Sequence, residues 1–96
     1  MNHGLFIIKV LENPEHLMIN ETPLIKVPVK FTSSNQKLSN FNLTLILWGG
    51  FRDDFINYYK VKDYLLIEGI ITSNRKTNEN DEVNLIAKRV YPFLLD

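Results

Sequence analysis

The residues best suited to chemistry are one tryptophan and a set of basic side chains. Trp48 is the only tryptophan in the chain, and its flat indole can stack on a nucleic-acid base for about 1–3 kcal/mol. Lysine and arginine neutralise phosphates, and the candidates for that role are Lys26, Lys30, Arg75 and Lys76. The 11 Lys and Arg residues are balanced by 11 Asp and Glu residues. Nucleic-acid binding would therefore depend on a local basic patch.

Each of these residues also has a purely structural interpretation. Trp48 can pack under a loop or into a subunit interface instead of stacking on a base. The lysines can be solvated charges that keep an edge strand from pairing with another chain. Phe31 is a candidate both for the core and for the surface that carries Trp48, because a bulge at Pro28 would turn the strand.

Other kinds of functional site find no support in the sequence. The chain has no cysteine, which excludes a disulfide scaffold, a thiolate zinc site, an iron–sulfur cluster and a cysteine nucleophile. His3 and His16 have no partner at the spacing of metal ligands or of a catalytic triad. Gly49 and Gly50 are not followed by the Lys and Ser or Thr of a phosphate-binding loop. We therefore expect a non-enzymatic protein without a metal or cofactor.

Alternation of apolar and polar residues predicts five strands, and an i, i+4, i+7 pattern predicts one helix between the third and the fourth. The predicted strands span about residues 5–10, 24–31, 42–48, 64–72 and 83–90, and the helix about 51–60. The residues expected in the core are Leu43, Leu45, Leu47, Phe55, Ile67, Val83 and Leu85. The helix should bury an aromatic stripe of Phe51, Phe55, Tyr58 and Tyr59. Gly69 is expected at a bend or bulge within its strand.

This order of elements indicates an all-β fold, because three strands, a helix and two strands match the five-stranded Greek-key OB-fold barrel. The helix between strands three and four closes one end of such a barrel. At 96 residues, the chain has the size of one domain covering residues 1–96. A helix that crosses a membrane needs about 20 apolar residues, and no apolar run in the sequence approaches that length.

Five short blocks, in order along the chain, resemble the bacterial and organellar single-stranded DNA-binding protein family. They are NPE at 13–15, LILWG at 45–49, FINYYKVKD at 55–63, LIEGII at 66–71 and AKRV at 87–90. The combination is most similar to the short single-stranded DNA-binding-like reading frames of plastids and cyanobacteria. Ala87 is the only alanine, a bias that AT-rich codons would produce.

The resemblance implies sequence-independent binding of single-stranded DNA, a place in DNA replication and a homodimer or homotetramer that pairs through the first strand. It also implies the plastid stroma, or otherwise the bacterial cytoplasm. Trp48 would stack a base while Lys26, Lys30, Arg75 and Lys76 neutralise phosphates. Asn42 and Lys76, however, stand where the family commonly has tryptophan. A protein–protein adaptor with little DNA affinity and an RNA-binding module are therefore alternatives.

Overall fold

The computed structural model of the chain describes residues 2–32, 42–74 and 82–93. Six strands and one helix lie in these ranges: β1 Asn2–Val10, β2 Glu15–Ile19, β3 Thr22–Phe31, β4 Asn42–Trp48, α1 Gly49–Tyr58, β5 Tyr64–Asn74 and β6 Glu82–Pro92. The all-β class is confirmed. None of the helical structure in the described ranges is long and apolar enough to cross a membrane.

Five of the strands form the predicted barrel. The sheet has the order β1-β5-β6-β4-β3-β2, and an additional pairing of β1 with β3 closes the ring. Neighbouring strands in the ring run antiparallel except β4 and β6, which are parallel. The predicted short helix lies between the third and fourth strands of this ring, which are β4 and β5. Because β2 pairs with β3 outside the ring, β3 extends beyond the barrel as a two-stranded hairpin.

The sequence pattern predicts no strand between Pro14 and Leu24, so the strand β2 was not predicted. Its side chains are exposed on both faces except for half-buried Leu17, so they carry no alternation of apolar and polar residues. The hairpin turn consists of Asn20 and Glu21, whose φ angles are +48° and +64°. Two consecutive positive φ angles are typical of a type I′ turn, but its usual sequence signal is Asn-Gly or Asp-Gly. Because glutamate stands where glycine is usual, the sequence carries no signal for this turn.

The interior is filled by the inward faces of the strands, as the alternation predicted. Among the residues expected in the core, Leu43, Leu45, Leu47, Phe55, Ile67 and Leu85 are buried. Val83 is partly buried and packs against the same cluster. The rest of the core cluster consists of Ile8 and Val10 from β1, Ile25, Val27 and Val29 from β3, Leu65 from β5 and Ala87 from β6.

The predicted aromatic stripe of the helix is wrong in two of its four members. Phe55 is buried, whereas Phe51 and Tyr58 are 38% and 75% exposed. Tyr59 follows the end of α1 and packs against Phe55, with ring centroids 5.8 Å apart. A helix of ten residues that lies across the end of a barrel contacts the core over about one turn. One aromatic side chain is therefore enough to fill the contact between the helix and the core. The helix also begins two residues earlier than predicted, at Gly49, whose φ of +63° makes the turn out of β4.

Gly69 occupies a β-bulge, as predicted. The register between β5 and β6 shifts between Glu68 and Gly69, so that Lys88 is an extra residue on β6. A Cβ atom on Gly69 would collide with the backbone oxygen of Ile86. Pro28 lies where β3 changes its partner from β2 to β1, and its carbonyl accepts a bond of 2.9 Å from the N–H of Leu11. An imino nitrogen is tolerated there because the ladder ends at that point.

Candidate nucleic-acid interface

Trp48 lies on the exterior of the barrel, at the last position of β4 and directly before α1. Residues opposite each other in an antiparallel pair share a face of the sheet. Trp48 is opposite Leu24, which is itself opposite Leu17 on β2. Leu24 is only 8% exposed although it does not belong to the interior core cluster, so this exterior row covers it. Trp48 retains 41% exposure. Its indole therefore both packs against the row and presents aromatic surface to solvent.

Lys26 and Lys30 share this exterior face of β3 but have different neighbours. Lys26 is half-buried, with Ile46 of β4 on one side and Glu15 of β2 on the other. The Glu15 carboxylate in the opposite cross-strand position makes the surroundings of Lys26 less positive, although no ion pair within 4 Å joins these two described side chains. Lys30 is exposed and is opposite Lys9 of β1. The two predicted lysines are thus brought to one surface, and only Lys30 is placed next to a second positive charge.

The other three predicted site residues do not extend this surface in the described part of the chain. Phe31 points toward the barrel interior, where it packs against the core and lies 5.7 Å from the ring centroid of Phe6. Arg75 and Lys76 lie outside the described residues.

Two exterior residues of this region were not among the predicted site residues. Lys9 of β1 is opposite Tyr64 of β5, and its Nζ lies 5.5 Å from the centroid of the tyrosine ring. Together with Lys30, they form a continuous row across β3, β1 and β5. The available signal was Lys9 itself, the one charged residue in the apolar run of the first predicted strand. The register that brings it beside Lys30 cannot be obtained from strand patterns alone.

Polar groups elsewhere on the surface form small, separate clusters. His3 Nε2 and Glu68 Oε2 are 3.4 Å apart. The pKa of the Arg89 guanidinium is raised, first by its hydrogen bond to the Tyr91 side chain and then by the negative charge of Glu68. Burial, followed by the charges of Asp54 and Asp63, raises the pKa of the Tyr59 phenol. In the part of the chain that the structure describes, no three His, Cys, Asp or Glu side chains come together as a metal site.

A cleft of about 180 Å³ lies between the β1–β2 connection and the end of α1. Phe55 and Tyr59 form part of its lining, and Glu12 and Lys60 contribute one charge of each sign. A surface with balanced charges does not attract a polyanion. The exterior of β3, β4 and β1 is therefore the better candidate for an interface with nucleic acid.

The chain was compared with family models, with curated proteins and with solved structures. No family model matches the chain. The chain is 29% identical to a protein of Trieres chinensis named "Putative single-stranded DNA-binding protein ycf41", over all of this chain and 92% of that one. It is also similar to the crystal structure of the SSB domain of a Synechococcus protein, with a TM-score of 0.71 and 22% identity over 95% of this chain and 94% of that one.

The structural likeness establishes a shared fold, because the two chains superpose over nearly their whole lengths. The likeness in sequence likewise extends over the whole chain rather than over one motif. The likeness in sequence confirms the resemblance to single-stranded DNA-binding proteins that the five sequence blocks indicated, and the likeness in structure confirms the fold.

Proposed function

We propose that the protein binds single-stranded DNA on the exterior face of β3 and β4, with little preference for sequence. The observation that carries this proposal is the 41% exposure of Trp48 on the same sheet face as Lys26 and Lys30. A base stacks on the indole while ammonium groups neutralise the neighbouring phosphates. Every base has a π-face and every nucleotide a phosphate, so this mode of binding tolerates any sequence. The name of the Trieres chinensis relative supports the same ligand.

Affinity for one subunit should be modest, because the chain has no net charge and a single tryptophan. Trp48 provides its own test, since it is the only indole and reports directly on stacking. Titration with oligo-dT should quench its fluorescence. Trp48→Ala should weaken binding by about 1–3 kcal/mol, or roughly 5- to 150-fold, as measured by anisotropy of labelled oligo-dT.

The matched control is Tyr58→Ala, which removes an aromatic side chain that is 75% exposed at the end of α1. This variant should bind oligo-dT like the wild-type protein. Equal losses in the two variants would contradict the assignment of Trp48. If the wild-type protein does not bind oligo-dT even at low salt, where phosphate contacts are strongest, the proposed function is wrong. Parallel titration with oligo-rU, which carries ribose in place of deoxyribose, tests the RNA alternative.

We also propose that the protein forms a homodimer or homotetramer through the edge of β1. Residues 8–10 of β1 pair with β3, whereas residues 2–6 pair with β5 alone among the described strands. Leu5 lies in this segment and is 66% exposed. An open strand edge is a template for pairing with another chain. Several grooves on one DNA strand would raise the overall affinity. Light scattering at micromolar concentration tests the proposal, and a monomer mass would contradict it.

A second candidate function, a protein–protein adaptor, is favoured by the tip of the β2–β3 hairpin. Met18 and Ile19 are 68% and 50% exposed there, and exposed apolar residues in a group often mark an interface. The oligo-dT titration separates the two functions, because an adaptor would show no retention of single-stranded DNA.

For the location, we propose the plastid stroma or otherwise the bacterial cytoplasm. Fluorescence microscopy of a tagged full chain would test that.

A further inference from the structure

Lys9 and Lys30 are two residues of like charge on neighbouring strands of the barrel. They are opposite each other in the β1–β3 ladder. The N–H of Thr32 donates to the Ile7 carbonyl at 3.2 Å and the N–H of Leu11 to the Pro28 carbonyl at 2.9 Å. Hydrogen-bonded positions alternate along an antiparallel ladder, so Lys9 and Lys30 are also such a pair, with Cα atoms about 5.5 Å apart. Like charges at this position destabilise a sheet.

Nothing in the described part of the chain neutralises these two lysines. Its ion pairs join His3 to Glu68 and Arg52 to Asp53, and neither lysine takes part. Lys26 lies on the same face of β3, four residues before Lys30. It differs from Lys9 and Lys30 because the residue opposite it is the acidic Glu15. Tyr64 holds the Lys9 ammonium over its ring at 5.5 Å, which draws that charge toward β5. An aromatic face attracts the cation without neutralising it.

We propose that Lys9 and Lys30 together bind one phosphodiester group of the DNA backbone; this inference rests on the proposed function. A phosphodiester carries one negative charge and two non-bridging oxygens, so each ammonium can donate to one oxygen. Binding of the anion removes the repulsion between the lysines and therefore stabilises the folded barrel as well. The Lys26 ammonium, which has the Glu15 carboxylate in the opposite cross-strand position, contributes less to phosphate binding.

The position of the pair also sets the path of the strand. Leu24, opposite Trp48, and Lys30 are six residues apart on β3, or about 20 Å at the rise of a β-strand. That length suits the few nucleotides that one OB-fold contacts. DNA stacked on Trp48 would run along the exterior of β3 and cross onto β1 at Lys9. Tyr64 then marks the end of the path on β5.

The test is the salt dependence of oligo-dT binding in four single variants. Each phosphate contact on a single strand contributes about 0.7 to the slope of log K against log salt. Lys9→Ala and Lys30→Ala should each lower the slope by about that amount. Lys26→Ala should lower it less, and Lys88→Ala, which removes an exposed lysine at the bulge, should leave it unchanged. If wild-type protein binds but Lys9→Ala has the same slope as Lys88→Ala, the pair is not a phosphate site and the proposed function stands.

A second measurement does not depend on DNA. At equal ionic strength, replacing sodium chloride by sodium phosphate should raise the melting midpoint of the wild-type protein and of Lys88→Ala more than that of Lys9→Ala or Lys30→Ala. Equal rises in all four proteins would overturn the inference even if oligo-dT does not bind. Lys9→Gln keeps the methylene groups of the side chain and replaces Lys9→Ala if the latter does not fold.

Discussion

At the scale of single residues, the proposed roles depend on the neighbour across the strand more than on the residue type. Lys26 and Lys30 are identical side chains on the same face of β3 and were equivalent candidates in the sequence. The register places Glu15 opposite the first and Lys9 opposite the second. Sequence alone therefore predicted the lysines and the tryptophan as residue types. It could not rank them, since the hairpin that brings Glu15 to Lys26 has no pattern of its own.

Tyr59 gives a prediction of pH dependence at the same scale. The pKa of its phenol is raised above the ordinary value of 10.0 in the folded protein, mainly by burial. Above pH 10 the unfolded chain loses this proton first, so the free energy of unfolding should decrease as the pH rises toward the folded pKa. Tyr59→Phe should reduce that decrease, as measured by urea titrations that start below the ordinary pKa of 10.0 and continue above it.

Exposed Tyr58 provides the control for this measurement. Tyr58→Phe should show the same alkaline loss of stability as the wild-type protein, because it removes a hydroxyl from a side chain that is 75% exposed. If Tyr59→Phe and Tyr58→Phe behave alike, the raised pKa of Tyr59 does not contribute to stability.

At the scale of elements, the strands of the ring could be predicted because one of their faces is buried. The alternation of Leu43, Leu45 and Leu47 in β4 follows directly from the pleat of a strand against a core. Elements with little buried surface could not be predicted in the same way. The strand β2 lies outside the ring, and α1 contributes one buried residue, Phe55. Hydrophobic periodicity reports burial, so β2, which has no fully buried side chain, was missed. The aromatic spacing of α1 did predict the helix, but it did not identify Phe55 as the one helix residue that is buried.

The two glycines Gly69 and Gly50 allow a test of how the barrel bends. Gly69→Ala places a Cβ atom against the Ile86 backbone oxygen, and backbone cannot give way as a flexible side chain can. We expect a loss of about 1–3 kcal/mol in the free energy of unfolding, as for overpacked sites. Gly50→Ala meets no heavy atom within 4 Å and should keep or raise stability, because alanine is the better helix former.

Urea denaturation of the two variants measures both effects on the same scale. A Gly69→Ala protein as stable as wild type would mean that the bulge between β5 and β6 is not required to close the ring. Retention of oligo-dT binding by folded Gly69→Ala would in turn show that the bulge serves the barrel and not the interface.

At the scale of the whole molecule, the absence of net charge leads us to expect that the proposed assembly is the main source of affinity for DNA. One subunit offers a single indole and a short basic row, whereas subunits joined through β1 would offer several such surfaces to one DNA strand. Linked sites of this kind gain affinity without new contacts. Long oligonucleotides should then bind much more tightly than short ones, and this difference should depend on the oligomer.

Leu5 is the position at which this dependence can be tested. In the β1–β3 ladder, Thr32 donates to Ile7 and the N–H of Leu11 points toward β3. Since N–H groups alternate between the two sides of a strand, the N–H of Leu5 faces the open edge and not β5. Leu5→Pro therefore removes one edge donor while it leaves the β1–β5 ladder intact. We expect a monomer by light scattering, with equal affinity per site for long and short oligo-dT. The control variant Leu5→Ala keeps the backbone N–H, so it should remain an oligomer that binds long oligo-dT more tightly than short oligo-dT. If the wild-type protein is a monomer and still prefers long oligo-dT, this preference does not come from the assembly of subunits.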